Sequence, residues 1–554
     1  MIIKRDFITV NNGQQLHYRR SGNGLPLIML HPSPQCSETL IPAMEIFSAN
    51  YDCLALDTPG YGLSEKLDIP EPDISDYAKA IIEAIDALGC EKFCLYGSAT
   101  GGQIAIEIAK QIGERIHLLL LDTNGHMSED DIKRILKGYL PDVTPKRDGG
   151  HLLTYWDMCR HLYVSFPWYS ALEKDRIHID LPDALTIHTL LLRYLRAGND
   201  YWKAYRAAFL TENISHMSGL TIPTTVLRWQ GSIILPVTDA LINQGLSDNI
   251  EILHAGPTLD ERYTVQLEAL NRHCRNLPPV DLNIERTNEI SGLENTFIKH
   301  QDQDIYVRLS KQGHGRPIVL LHNISAAGNE LLDLAQPAIG KRPLAIIDLP
   351  GHGESTTNGD LTSIKEIAKT TAAAIEQLNF DDFDIVAFGS GGSVGVELIK
   401  TLDVHSAFLI DPIGYTDEEK SAFKENGLPI FLPKIDGSHL ISIWSMIRDE
   451  EHYWPWSNHT KKGIRKRQAN LDPDYLHRRA VNVIKLGGRY RELKTLELNY
   501  DWQESMQGYH AQITLAFSPN YPAKNAVYEN IKSRFQSVEL TSVRKNWLKE
   551  LLNV

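Results

Sequence analysis

The feature that most constrains this chain is a long stretch of text that it contains twice. DGGHLLTYWDMCRHLYVSFPW (148–168) is matched by DGSHLISIWSMIRDEEHYWPW (436–456). One gap-free offset pairs His151 with His439, Trp156 with Trp444, Arg160 with Arg448 and Pro167 with Pro455. Upstream, LDTPGYGLSE (56–65) answers IDLPGHGES (347–355); downstream, His188, Gly198 and Tyr201 answer His477, Gly487 and Tyr490. Self-similarity over such a length sets the organisation before any fold is argued. The chain reads as a tandem duplication, with domains over 1–279 and 280–554 that divide at the Pro278-Pro279 pair.

Within each copy, short apolar runs alternate with helix-period text. Copy one has LPLIMLH, DCLALD, KFCLYG and HLLLLD, with helical patterns over 74–88 and 101–112. Copy two has PIVLLH, PLAIID, DIVAFG and AFLID, with a helical pattern over 363–378. Continuous apolar runs bounded by turns and separated by helices describe strands buried on both faces of a mostly parallel sheet. The fold class is therefore α/β, in two tandem domains. Each copy then departs from this rhythm, over 126–215 and 415–508, into helical, aromatic-rich text before the sheet resumes at TIPTTVLRW and QITLAFS. Such an insertion reads as a cap over the carboxyl ends of the strands, where open sheets bind ligands.

Composition narrows the partners. The 554 residues carry 56 basic and 70 acidic side chains, a net charge of −14 that repels phosphate backbones and anionic lipid. MIIKRDFITV lacks the apolar core of a signal peptide, and no stretch runs 18 residues without charge, so no membrane partner and a cytoplasmic location are expected. The cysteines at 36, 53, 90, 94, 159 and 274 show no C-x-x-C spacing, which suggests neither a disulfide framework nor a zinc site. A small-molecule ligand, with no metal and no cofactor, is the expected partner.

A leading hairpin, LHP after the third strand, LDTPGYGLS after the fourth and an apolar strand running into LYGSATGG together resemble the alpha/beta-hydrolase superfamily. In that family a sharp strand-to-helix turn, G-x-S-x-G, exposes a serine nucleophile. Registering Gly97 and Gly101 on its glycines puts Ala99 at the nucleophile position; in copy two, Gly389 and Ser393 put Gly391 there. Neither residue carries a heteroatom that can attack a carbonyl. The resemblance implies an acid after the seventh strand, yet RWQGS (228–232) and AFSPN (516–520) hold none. It also implies a histidine after the eighth, where HAGPTLDER gives Pro257, His254 falls early within the strand, and copy two reads ELTSVRK. Asp122 and Asp411 end the sixth strand, where some members keep the acid; capping of the following turn explains them as well.

Several residues remain as candidates. The resemblance implies an oxyanion hole built from backbone N–H groups of the loop at His31 and Pro32 and of Thr100, although a turn kept for folding accounts for LHP equally. Ser98 and Thr100 flank Ala99. In the cap, His151, Trp156 and Arg160 either pack the helices or line the pocket, and His151 or His188 is the candidate proton carrier. The basic run KKGIRKR (461–467) reads as a solvated face.

Two functions fit. One is hydrolase or lyase chemistry, without a covalent intermediate, on a small carbonyl or carboxylate compound in the first copy. The other is a duplicated pseudoenzyme that binds a ligand or serves assembly. The two halves are expected to pack as a pseudo-dimer, as homologous domains often do.

Overall fold

In a computed structural model that describes residues 2–282, 284, 292–505, 512–518 and 538–542, the apolar runs become the strands of two sheets. The first comprises β1 (Lys4–Thr9), β2 (Gln15–Ser21), β3 (Leu25–Leu30), β4 (Tyr51–Leu56), β5 (Phe93–Ser98), β6 (Ile116–Asp122), β7 (Thr224–Trp229) and β8 (Ile250–Ala255). Their order across the sheet is β1-β2-β4-β3-β5-β6-β7-β8. β1 and β2 form an antiparallel hairpin, β2 runs antiparallel to β4, and the strands from β4 to β8 are mutually parallel. β3, β4 and β5 are buried at every position, which is why their text is continuously apolar rather than alternating.

The second sheet comprises β9 (Glu294–His300), β10 (Gln303–Ser310), β11 (Ile318–Leu321), β12 (Leu344–Ile347), β13 (Phe383–Phe388), β14 (Val404–Ile410), β15 (Gln512–Phe517) and β16 (Val538–Ser542). It has the order β9-β10-β12-β11-β13-β14-β15-β16, the same path across the sheet as the first.

The helices start where local chemistry dictates. Asp73 and Asp76 form a reciprocal capping box at the head of Ile74–Ala87, as Thr258 and Glu261 do for Leu259–Cys274. The D-x-P-G-x-G text after the fourth strand is also structural. Asp57 is buried; its carboxylate accepts from the backbone N–H groups of Ser37 (2.6 Å) and Leu63 (2.9 Å) and lies 2.7 Å from His17 Nδ1. A Cβ on Gly62 would come 2.0 Å from that carboxylate, so only glycine fits. In the second sheet Asp348 plays this part, accepting from Gly328, Glu354 and Arg308.

The chain forms two compact units. One runs through Thr144 and resumes at Thr154; the other includes Pro145–Leu153 together with the second sheet and its helices. The first unit continues past the Pro278-Pro279 pair, because Val280 donates to Gly24 O (3.1 Å) and packs on the β3–β4–β5 core. No helix among the described residues is long and apolar enough to cross a membrane.

Candidate functional site

In the first unit β5 ends in a turn so tight that Gly97 and Gly101 have no room for a side chain. A Cβ on Gly97 would meet Gly101 O at 2.4 Å, and one on Gly101 would meet Leu30 O at 2.3 Å. Between them Ala99 holds φ 46° and ψ −110°, a conformation that L-residues avoid, with its N–H tied to Asp122 O (2.9 Å). Helix Thr100–Ile112 starts immediately after it. The turn thus keeps the strained geometry that presents one side chain to the pocket, and presents a methyl group.

Backbone donors surround that methyl. Thr100 N–H opens the helix, and among the described residues it has no hydrogen-bond partner within the chain; the same holds for Ser33 N–H in the loop after β3. Both residues line a cavity of about 390 Å³. This corrects the assignment to His31 and Pro32. Proline has no N–H to give, so Pro32 contributes only to the wall, and the unpartnered backbone donor of this loop belongs to Ser33. His31 is fully buried and does not line the cavity: Nε2 accepts from Thr58 N–H (2.9 Å) and Nδ1 faces Pro32 O (2.9 Å). Burial, only partly opposed by Asp57, lowers its pKa, so it is a neutral brace between two loops.

Among the polar groups in the largely apolar cavity wall, three stand out. Ser98 Oγ lies 3.2 Å from Thr123 Oγ1, which itself donates to Asp122 O. Arg262, on the helix after β8, reaches Asp122 with Nε and Nη2, both at 3.0 Å, and its guanidinium lies 4.2 Å from the centroid of Trp229. Tyr96 OH completes the cluster with a 2.6 Å bond to Asp122 Oδ2. Asp122 itself is fully buried behind Arg262 rather than exposed in the cavity. The acid that ends β6 therefore orients a guanidinium from the helix after β8.

The third group is Glu212, at the end of the cap helix Trp202–Thr211. Its Oε1 accepts from Gly125 N–H (2.5 Å), and burial, only partly offset by that bond and by Gln103, raises its pKa to about 8. At neutral pH this carboxyl holds a proton within the cavity wall. Neither Arg262 nor Glu212 was singled out from sequence. HAGPTLDER contains the arginine, but its pairing with Asp122 is made only by the fold; Glu212 carries no local signal, because its distinction is its burial.

The cap candidates lie elsewhere. His151, Trp156, Arg160 and His188 are not among the residues that line the cavity. Trp156 and His188 are buried in packing, and Arg160 Nη1 lies 3.1 Å from His161 Nε2. His151 belongs to the segment grouped with the second unit. There its Nδ1 accepts from Lys146 N–H (3.1 Å), and its Nε2 is 3.0 Å from His477 Nδ1. Burial first, then His477, lowers its pKa to about 3, so it is a neutral imidazole at neutral pH. The repeated D-G-x-H text is a turn device. Asp148 accepts from Gly150 N–H (2.9 Å) and Asp436 from Ser438 N–H (3.0 Å), while His439 Nδ1 accepts from Lys434 N–H (3.2 Å) just as His151 does from Lys146.

The second unit's turn corrects the sequence register. The residue with positive φ is Gly389 (φ 53°), whose N–H bonds Ile410 O at 2.8 Å as Ala99 bonds Asp122 O. Gly389, not Gly391, is the counterpart of Ala99; Gly391 is the close-packing glycine, with His322 O 2.3 Å from its notional Cβ. Here the donors are taken. Ser390 N–H and Oγ–H both point to Asn323 Oδ1 (2.8 and 2.9 Å), and Ile324 N–H donates to Ser390 Oγ (2.9 Å).

No family model matches the chain. Among curated proteins, haloalkane dehalogenase 2 of Mycobacterium tuberculosis is 28% identical over 107 residues, covering 19% of this chain and 37% of that protein. The (E)-2-((N-methylformamido)methylene)succinate hydrolase of Acinetobacter baylyi is 29% identical over 102 residues, or 18% and 38% of the two chains. The alpha/beta-hydrolase superfamily is supported. The cis-3-alkyl-4-alkyloxetan-2-one decarboxylase of Shewanella oneidensis is 30% identical over 138 residues, 24% of this chain and 42% of its own. The matches thus span about two fifths of each relative's length.

Proposed function

We propose that the first unit binds a small carbonyl or carboxylate compound beneath its cap and acts on it by hydrolase or lyase chemistry that forms no covalent intermediate with the chain. Homologues named as a dehalogenase, a hydrolase and an epoxide hydrolase support a hydrolase-type function at family level. The observation that carries the finer reading is the convergence, in one cavity, of a methyl at the turn, two backbone donors and a proton-bearing carboxyl.

On this reading Ser33 and Thr100 N–H groups hold the substrate oxygen that gains negative charge, a task that backbone donors aimed by a turn perform without rearrangement. Glu212 is the general acid: its pKa near 8 keeps it protonated yet able to release the proton. Arg262 attracts the carboxylate or polarised end of the ligand, and the aromatic rings of Tyr139, Tyr205 and Phe209 receive the apolar part. The test is a turnover screen of esters, β-diketones and β-keto acids, followed by Glu212→Gln on any substrate found. A loss of about 10²-fold in kcat with an unchanged melting temperature is expected for a lost general acid; undiminished kcat removes Glu212 from the mechanism.

A pseudoenzyme that only binds is favoured by one observation, that among the described residues no histidine lines this cavity. Saturable binding of a carboxylate without turnover of any screened compound would select that reading.

A further inference from the structure

The second unit encloses a cavity of its own, about 300 Å³, and its wall is charged where the first unit's is apolar. The gap-free repeat pairs Leu162 with Glu450 and Tyr163 with Glu451; its downstream continuation pairs Leu190 with Arg479 and Tyr205 with Lys494. Every one of these residues lines the cavity of its own unit. Two more cations, Arg465 and Arg467, come from the basic run KKGIRKR, which sequence alone assigned to a solvated face; both line the cavity instead.

Packing does not explain these charges. Enclosing an ion costs several kcal/mol, and apolar residues of similar size serve stability as well or better. The first unit demonstrates that this frame accepts leucine and tyrosine at the same positions.

The pattern of bonds selects the sign of a ligand. The acids are occupied by donors of the chain. Glu451 accepts from Arg467 (2.8 Å), Tyr475 OH (3.1 Å) and Asn470 N–H (3.1 Å), and Glu450 Oε2 lies 2.5 Å from Arg479 Nη2. Asp411 takes both the N–H and the hydroxyl of Ser518, each at 2.6 Å. Glu330 accepts from Asn482 (2.8 Å). A guanidinium carries five N–H groups and an ammonium three. Among the described residues Arg467 meets one carboxylate, and so does Lys494, through Glu497 (2.6 Å), leaving both with donors in excess of these acceptors. Burial raises the pKa of Glu330 and of Asp411. An apolar face adjoins the cations: Arg465 lies 6.0 Å from the Trp454 centroid, and Phe423 meets Trp454 edge-on at 5.8 Å.

We propose that the second unit's cavity is a separate binding site for a small aromatic carboxylate, its charge held by Arg467 and Lys494 and its ring set against Trp454 and Phe423. Asn323 fills the donor pair at this unit's turn, so the site binds and does not turn over.

The probe is benzoate, with benzamide as the neutral control, titrated into the full chain labelled with 5-fluorotryptophan; the Trp454 resonance is assigned from Trp454→Phe. Benzoate is expected to shift that resonance saturably and benzamide to leave it in place. Arg467→Gln should weaken the shift at least tenfold, whereas Glu212→Gln, in the other cavity, leaves it unchanged. Ala326→Leu, which fills the wall without touching any charge, should abolish it and covers the case in which the arginine variant fails to fold. No shift with benzoate, an equal shift with benzamide, or undiminished binding in either cavity variant would overturn the proposal.

Discussion

At the residue scale, the proposed chemistry of the first cavity turns on two side chains whose environments set their charge. Arg262 is fixed as a cation by Asp122, and Glu212 is held neutral by burial. If Glu212 is the general acid proposed above, kcat should be level at neutral pH and fall as pH rises through about 8, where the proton is lost. Glu212→Gln should abolish that descending limb along with most of the rate. A limb that persists in the variant would belong to another group. Sequence made the methyl of Ala99 legible, because a turn between two glycines is read directly from text. It did not reveal Glu212 or Arg262, whose functions come from partners that lie 87 and 140 residues away along the chain.

At the scale of elements, the turn after β5 is built by steric exclusion. Adding one methyl at Gly101 places it 2.3 Å from Leu30 O, a contact that backbone must move to relieve. Gly101→Ala should cost about 2 kcal/mol, as overpacking typically does, and be read as a lower urea midpoint; an unchanged midpoint would show that the helix and β3 can part freely. The loops after β4 and β12 are organised by buried carboxylates. Burial alone would raise the pKa of Asp57, but His17 and backbone donors outweigh it and hold it below the ordinary range; Asp348 is held down by Arg308 in the same way. A folded-state pKa below the unfolded one contributes stability that is complete above about pH 4 and is lost as pH falls further. Unfolding free energy should therefore decline below about pH 4, and less steeply in Asp57→Asn; identical slopes would remove Asp57 from the acid response. The strands and first helices were legible in sequence because buried parallel strands read as unbroken apolar runs. The copy-two turn was misregistered by two residues, since GSGGSVG offers several glycine pairs and only the positive φ of Gly389 distinguishes the right one.

At the scale of the whole molecule, one chain carries two sheets of identical strand order, each with a cavity beside the turn of its fifth strand, and the cavities differ in chemistry rather than in position. The internal repeat made that organisation visible from text. Within the repeated cap text His151 builds a turn and Trp156 is buried, whereas several cavity-lining positions, such as Tyr205 and Lys494, are ones at which the copies diverge. Duplicated text therefore marked the frame, and the differences between the copies marked the sites.

The central claim, that whatever chemistry the first cavity performs proceeds without attachment to the chain, is tested most directly by intact-protein mass spectrometry after incubation with a fluorophosphonate and with an activated ester. The account predicts an unchanged mass, with no burst of product ahead of steady turnover. A stoichiometric mass increase mapped to any side chain lining that cavity would contradict it.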